Sequence, residues 1–146
     1  MTCVFFGHSM ISNDIRASLK SKIIELFQNG VHKFYVGNNG QFDYLVQIVL
    51  EETSVLFNDL KYEIVLSRLG EKAIGGNQEA TVFPEELACV LPKFAISKRN
   101  DWLIKKANIV VCYVTAKLTN SYKWVEKAQK RNLTVFNISG HPLPIE

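Results

Sequence analysis

The amino-acid sequence predicts one α/β domain, a three-layer Rossmann-like sandwich around a mainly parallel sheet of about five strands. Short runs rich in Val, Ile, Phe and Tyr recur along the chain, at 3–6, 34–36, 62–66, 109–114 and 134–138. Such runs are typical of strands buried on both faces of a parallel sheet. Segments with helical spacing separate the runs, and alternating strands and helices form right-handed βαβ units.

Four segments have apolar residues at helical spacing, at 11–29, 42–60, 97–107 and 121–131. Asn29-Gly30 is a stop signal for the first helix, and Ser97 is suited to cap the third. The second predicted helix is so apolar that it could pack against a second copy of the chain, so a homodimer is plausible. Residues 67–96 hold three glycines and two prolines and predict a long connection that is functional or mobile. The proline-containing segment 139–146 is expected to be an irregular tail.

Composition narrows the class of protein. The 146 residues fit one domain, and no apolar run is long enough to span a bilayer. The N-terminus is predicted to be a strand rather than a signal peptide. Three cysteines without paired spacing argue against disulfides and a zinc site, so a cytoplasmic protein without metal or cofactor is expected. Cys3 and Cys112 lie in apolar runs and are expected to be buried.

The net charge of +3 is unevenly distributed. Residues 93–131 carry ten Lys or Arg and two acidic residues, a balance of +8. This region is suited either to bind phosphates or nucleic acid, or to place lysines on the solvent faces of two helices.

Three segments that follow predicted strands are candidates for a ligand site, because parallel sheets bind ligands at the carboxyl ends of their strands. The first is Gly7-His8-Ser9, where His8 either contacts a phosphate or closes the turn through a ring nitrogen. The second runs from Gly37 through Asn38, Asn39 and Gly40 to Asp43 and opens a helix; it is either an anion cradle or a simple turn. Its spacing fits neither a Walker A loop nor a dinucleotide fingerprint. Asp43 either caps the helix or contacts a ribose hydroxyl.

The third segment is weaker, since capping of the next helix alone explains its composition. It contains Thr115, Thr119, Asn120 and Ser121. Ahead of the 109–114 strand, Arg99-Asn100 offers a guanidinium that either forks onto a phosphate or forms a structural salt bridge. Trp102 and Trp124 are expected to be core or cover residues.

Together these motifs resemble the SLOG superfamily of Rossmannoid proteins, and in particular small bacterial members. The residues that carry the resemblance are Cys-Val-Phe-Phe-Gly-His-Ser at 3–9, Phe-Tyr-Val-Gly-Asn-Asn-Gly-Gln-Phe-Asp at 34–43, Phe-Ala-Ile-Ser-Lys-Arg-Asn at 94–100 and Ile-Val-Val-Cys-Tyr-Val at 109–114. The superfamily includes the DNA-processing protein DprA and the LOG nucleoside-phosphate hydrolases. The resemblance implies a phosphate-binding loop and binding of a nucleotide, a nucleotide-derived signal or nucleic acid.

This chain differs from the superfamily at the residues that the resemblance assigns to phosphate binding and catalysis. Relatives have a Gly-Gly-Thr or Gly-Gly-Ala step where this chain has Thr119-Asn120-Ser121. The hydrolases' catalytic glutamate corresponds to Trp124, and the nearest acid, Glu126, is rotated by about 200° around the helix. Asp43 and Glu126 are therefore weak candidates for catalysis. Nucleotide binding is the leading prediction; the alternatives are nucleoside-monophosphate hydrolysis and DprA-like nucleic-acid binding.

Overall fold

The computed structural model describes residues 1–12 and 14–145 and contains one sheet in which every strand pair is parallel. The strands are β1 (Thr2–Gly7), β2 (Lys33–Val36), β3 (Lys61–Val65), β4 (Thr81–Val82), β5 (Ile109–Tyr113) and β6 (Thr134–Asn137). Their order across the sheet is β4-β3-β2-β1-β5-β6. The predicted fold class is confirmed, with six strands rather than five because the two residues of β4 are too few to form a recognisable apolar run.

Four helices cover the two faces of the sheet: α1 (Arg16–Gln28), α2 (Gly40–Leu56), α3 (Ala95–Lys106) and α4 (Asn120–Lys130). Side chains of the central strand β1 alternate between two apolar clusters. Cys3 and Phe5 pack with residues of α1 and α2, whereas Val4 and Phe6 pack with residues of α3 and α4. These clusters are the two interfaces of a three-layer sandwich.

Three helices begin two or more residues away from the predicted start, and α2 ends at Leu56, four residues before the predicted end. α1 begins at Arg16, five residues later than predicted, and α2 begins two residues earlier, at Gly40. α3 begins at Ala95, so Ser97 lies within its first turn and is not the N-cap. The physical reason is the 3₁₀ turn at Pro92–Phe94, which leads directly into the helix.

The long connection between β3 and α3 is ordered by a buried glutamine of α2. Gln47 Nε2 donates to Gly37 O at 2.9 Å, and Gln47 Oε1 accepts from the N–H groups of Gly75 at 2.8 Å and Gly76 at 2.9 Å. The connection also contains β4 and three 3₁₀ turns. Segment 67–96 is therefore a structured part of the fold, which sequence periodicity did not reveal.

The remaining expectations concern burial. Cys3 and Cys112 are buried as predicted, and burial raises the pKa of the Cys112 thiol to about 12. The C-terminal segment is irregular but attached, since Ile145 is buried and its N–H donates to Tyr122 Oη at 3.1 Å. Within the described residues, no helix has both the length and the apolar composition to cross a bilayer.

The Gln47 contacts predict a large loss of stability on substitution. Gln47→Leu leaves two N–H groups and a carbonyl group without partners, which should lower the free energy of unfolding by about 2–4 kcal/mol. Urea denaturation measures this change. The exposed substitution Gln28→Leu is the matched control and should change stability by less than about 0.5 kcal/mol. A small effect at Gln47 would contradict the role assigned to this residue.

Candidate functional site

A cavity of about 420 Å³ opens at the carboxyl edge of the sheet, where β1 lies between β2 and β5. This is the position at which strand order reverses and at which open α/β sheets bind ligands. The volume lies in the range of small-molecule sites. Twelve of the predicted site residues line the cavity: Gly7, His8, Ser9, Gly37, Asn39, Gly40, Asp43, Arg99, Asn100, Thr119, Asn120 and Ser121.

Arg99 of α3 is the most deeply buried charged residue of the cavity wall, with 2% of its surface exposed. Its Nη1 donates to Val65 O at 3.2 Å, its Nη2 to Asn39 Oδ1 at 3.0 Å and its Nε to Asn100 Oδ1 at 3.0 Å. No carboxylate of the described residues lies within 4.0 Å of the guanidinium, so the salt-bridge alternative is not observed. Of the five N–H groups of the Arg99 guanidinium, two have no hydrogen-bond acceptor among the described residues.

The side chains of Asp43 and Arg99 both lie next to the backbone of Gly37. A Cβ atom on Gly37 would approach Asp43 Oδ2 to 2.8 Å and Arg99 Cζ to 2.9 Å, so any other residue there would displace these two side chains. Asp43 Oδ2 accepts from the N–H of Asn39, the N-cap residue of α2, at 3.0 Å, so the carboxylate holds the first turn from within the helix and is not its cap. Its Oδ1 accepts no hydrogen bond from the described residues. Burial raises the pKa of Asp43 to about 6, although Arg99 and the Asn39 N–H oppose the rise.

Two further glycines are required by packing within the protein. A Cβ atom on Gly7 would lie 2.2 Å from Cγ of Phe42. Gly40 has φ +87°, and a Cβ atom there would lie 2.7 Å from Cα of Ser9. The Gln41 N–H donates to Ser9 O at 2.8 Å and fixes α2 against this loop. These glycines therefore bring the two loops together, and contacts within the protein account for both of them.

His8 connects the loop after β1 to the loop after β5. Its Nε2 accepts from the N–H of Thr115 at 2.8 Å, and burial lowers the pKa of the imidazole. The neutral ring accepts through Nε2 and carries its proton on Nδ1. On α4, Thr119 Oγ1 accepts from the N–H of Tyr122 at 3.3 Å, and Ser121 Oγ donates to Gly7 O at 2.7 Å. Thr119 is thus the helix cap.

Three predicted site residues lie outside the cavity lining. Asn38 Nδ2 instead donates to Glu71 Oε2 at 3.1 Å and to Lys72 O at 2.9 Å, because its side chain points toward the β3–α3 connection. Thr115 contributes its N–H to His8 rather than to the cavity. Glu126 is exposed elsewhere on α4 and is not placed for catalysis in the cavity.

Apolar residues of the cavity wall were not predicted from sequence. Phe6, Met10, Ile96 and Leu103 line it together with Trp124, which was expected only to cover the core. On α3, residues 96, 99 and 103 lie at spacings of three and four and share a helix face. That spacing relative to Arg99 is the signal that would have identified Ile96 and Leu103.

Comparison with known proteins adds no assignment. No protein-family model matches the chain, and no curated protein is significantly similar to it. The geometry of the cavity therefore carries the functional argument.

The raised pKa of Asp43 predicts a pH-dependent stability difference. A carboxyl whose pKa is higher in the folded chain contributes stability below about pH 4, and this contribution is lost as the pH rises through 6. Relative to the native protein, Asp43→Asn should gain about 2–3 kcal/mol of unfolding free energy between pH 4 and 7.5. Urea denaturation at both pH values tests this. The exposed control Asp59→Asn should show no such change, and a flat Asp43→Asn difference would refute the burial of an ionisable group.

Proposed function

We propose that the cavity binds a nucleotide or a nucleotide-derived ligand. The observation that carries the proposal is the buried guanidinium of Arg99, which lines the cavity with no carboxylate of the described residues within 4.0 Å. A buried charge is stabilised by a charge of opposite sign, and arginine forks well onto phosphate oxygens. The cavity is therefore suited to an anionic ligand.

The surrounding helices add to this positive potential. The first turns of α2, α3 and α4 all contribute residues to the cavity lining. Each helix N-terminus carries a partial positive charge, although the N–H groups of Gln41 on α2 and Ala95 on α3 already donate to Ser9 O and Pro92 O. In the first turn of α4, the N–H groups of Asn120 and Ser121 have no acceptor among the described residues. Phosphates are commonly bound at such helix ends.

Other polar groups of the cavity suit the sugar of a nucleotide. Asp43 presents a carboxylate oxygen without a protein donor, which can accept from a ribose hydroxyl. Asn100 and Ser9 add amide and hydroxyl groups to the same wall. A carboxylate this close to Arg99 favours a hydroxyl group over a second anion beside it. These features support a ligand with one principal anionic group and a hydroxylated sugar.

Substitution of Arg99 tests the proposal. Isothermal titration should first identify a ligand among AMP, GMP, NAD, ADP-ribose and cyclic dinucleotides. Arg99→Ala should then weaken its binding by about tenfold to a hundredfold, because a charge-assisted contact is lost. Arg131→Ala, at the exposed C-terminal end of α4, is the matched control and should bind normally. Unchanged affinity in a folded Arg99→Ala protein would remove Arg99 from the site.

A second candidate function is hydrolysis of the glycosidic bond of a nucleoside monophosphate. The observation that favours it is the cavity-lining carboxyl of Asp43, whose pKa of about 6 keeps it near its titration point at neutral pH. Hydrolysis joins the oxygen of water to the anomeric carbon and breaks the carbon–nitrogen bond; one water proton stays on the new hydroxyl group and the other is transferred to the nitrogen of the released base. A carboxylate can stabilise the cationic character of the sugar in such a step.

Release of free base from a panel of nucleoside monophosphates measures this activity directly. An enzyme that uses Asp43 should lose at least about a hundredfold in rate as Asp43→Asn. The matched control Asp59→Asn should retain the rate. Absence of released base with the native protein would eliminate the hydrolase function, and an active Asp43→Asn protein would exclude Asp43 from catalysis.

A further inference from the structure

The cavity extends into a cleft between α3 and α4. On α3 the residues that line it are Ile96, Arg99, Asn100 and Leu103, whose spacing places them on one helix face. On α4 they are Asn120, Ser121 and Trp124, which share a face in the same way. Both helices begin at the carboxyl edge of the sheet. Ile96 and Asn120 therefore lie near the mouth of the cleft, and Leu103 and Trp124 lie one to two turns deeper.

The cleft differs chemically from the rest of the cavity. Asn39, Asp43 and Arg99 form a polar corner near the ends of β2 and β3. The deep part of the cleft is apolar instead, with Phe6, Leu103 and Trp124 as its walls.

Aromatic stacking makes one wall of the cleft rigid. The rings of Phe6 and Trp124 are nearly parallel, with an interplanar angle of 16° and a centroid separation of 6.2 Å. Phe6 is 5% exposed and Trp124 is 7% exposed, and Lys123 Nζ and Lys127 Nζ lie over the Trp124 ring at 5.7 and 5.1 Å from its centroid, so the core and these lysines hold the pair in place. The parts of Phe6 and Trp124 that line the cavity are apolar, and a planar ligand group can pack against them.

Exposed and unpaired groups lie at the mouth of the cleft. Ile96 leaves 48% of its surface exposed although it lines the cavity. The side-chain amide of Asn120 has no hydrogen bond to the described residues. The amide of Asn100 uses only its oxygen, which accepts from Arg99 Nε at 3.0 Å. Amide groups can pair with the donor and acceptor edges of a nucleobase.

We infer that the α3–α4 cleft binds the nucleobase of the ligand, between Ile96 and Trp124, while the corner at Arg99 binds its sugar and phosphate. This inference rests on the proposed function. It also makes Ile96 and Trp124 specificity-determining residues. A ligand without a base should therefore lose the cleft contacts and keep those to Arg99.

Titration with paired ligands tests the inference. Ribose 5-phosphate carries the sugar and phosphate without the base, and it is compared with AMP, GMP, CMP and UMP. The best nucleotide should bind at least about tenfold more tightly than ribose 5-phosphate, since burial of a base removes apolar surface from water. Ile96→Ser should weaken nucleotide binding by about threefold to tenfold and leave ribose 5-phosphate binding unchanged. Leu91→Ser, which removes a similarly exposed apolar side chain outside the cavity, is the matched control.

A fluorescence measurement avoids dependence on one variant. Trp102→Phe leaves Trp124 as the single tryptophan, since the chain has two. The nucleotide should change the emission of Trp124 in this protein, whereas ribose 5-phosphate should not.

The outcomes separate the two proposals. Equal binding of ribose 5-phosphate and nucleotides, with no effect of Ile96→Ser or on Trp124 emission, would overturn the cleft assignment and leave the proposed function intact. Binding of none of these five ligands, nor of NAD, ADP-ribose or the cyclic dinucleotides, would overturn the proposed function and the cleft assignment together.

Discussion

The burial of one guanidinium group at the edge of the sheet constrains the rest of the site. Removing a charge from water costs several kcal/mol unless hydrogen bonds and neighbouring charges compensate. Arg99 obtains this compensation from the carbonyl group that ends β3, from Asn39 in the loop before α2, and from the nearby carboxylates of Asp43 and Glu71. The group thereby connects α3 to the loops after two different strands. A side chain at Gly37 would displace Asp43 and Arg99, which lie next to its backbone.

Two separate hydrogen-bond networks hold the neighbouring loops. One is used entirely within the protein, and the other keeps groups that face the cavity. Asn38 and Gln47 form hydrogen bonds to each other and to the β3–α3 connection, so their side-chain amides are used within the protein. Arg99 and Asp43 retain groups that face the cavity. Successive residues Asn38 and Asn39 thus serve different networks: the first orders a loop, and the second supports the guanidinium.

Much of the fold was predictable from sequence because burial on both faces gives each long strand an apolar run. β4 was not predictable, since its two residues are too few to carry a periodic signal. The ends of the strands were identifiable, and most candidate site residues do meet at one cavity. Their individual roles depend on tertiary contacts. Gly7 is explained by Phe42, and the cavity-lining position of Ile96 depends on α3 beginning at Ala95 rather than at the predicted Ser97 cap.

The central claim is that an anionic nucleotide occupies the cavity at Arg99. Nuclear magnetic resonance of the ¹⁵N-labelled protein, titrated with the best-binding nucleotide, tests it most directly. The account predicts saturable shifts confined to the backbone amides of segments 7–10, 37–43, 96–103 and 119–124, together with a shifted Arg99 Nε–H signal. Saturable shifts elsewhere on the surface, with these segments and Arg99 unchanged, would contradict the account.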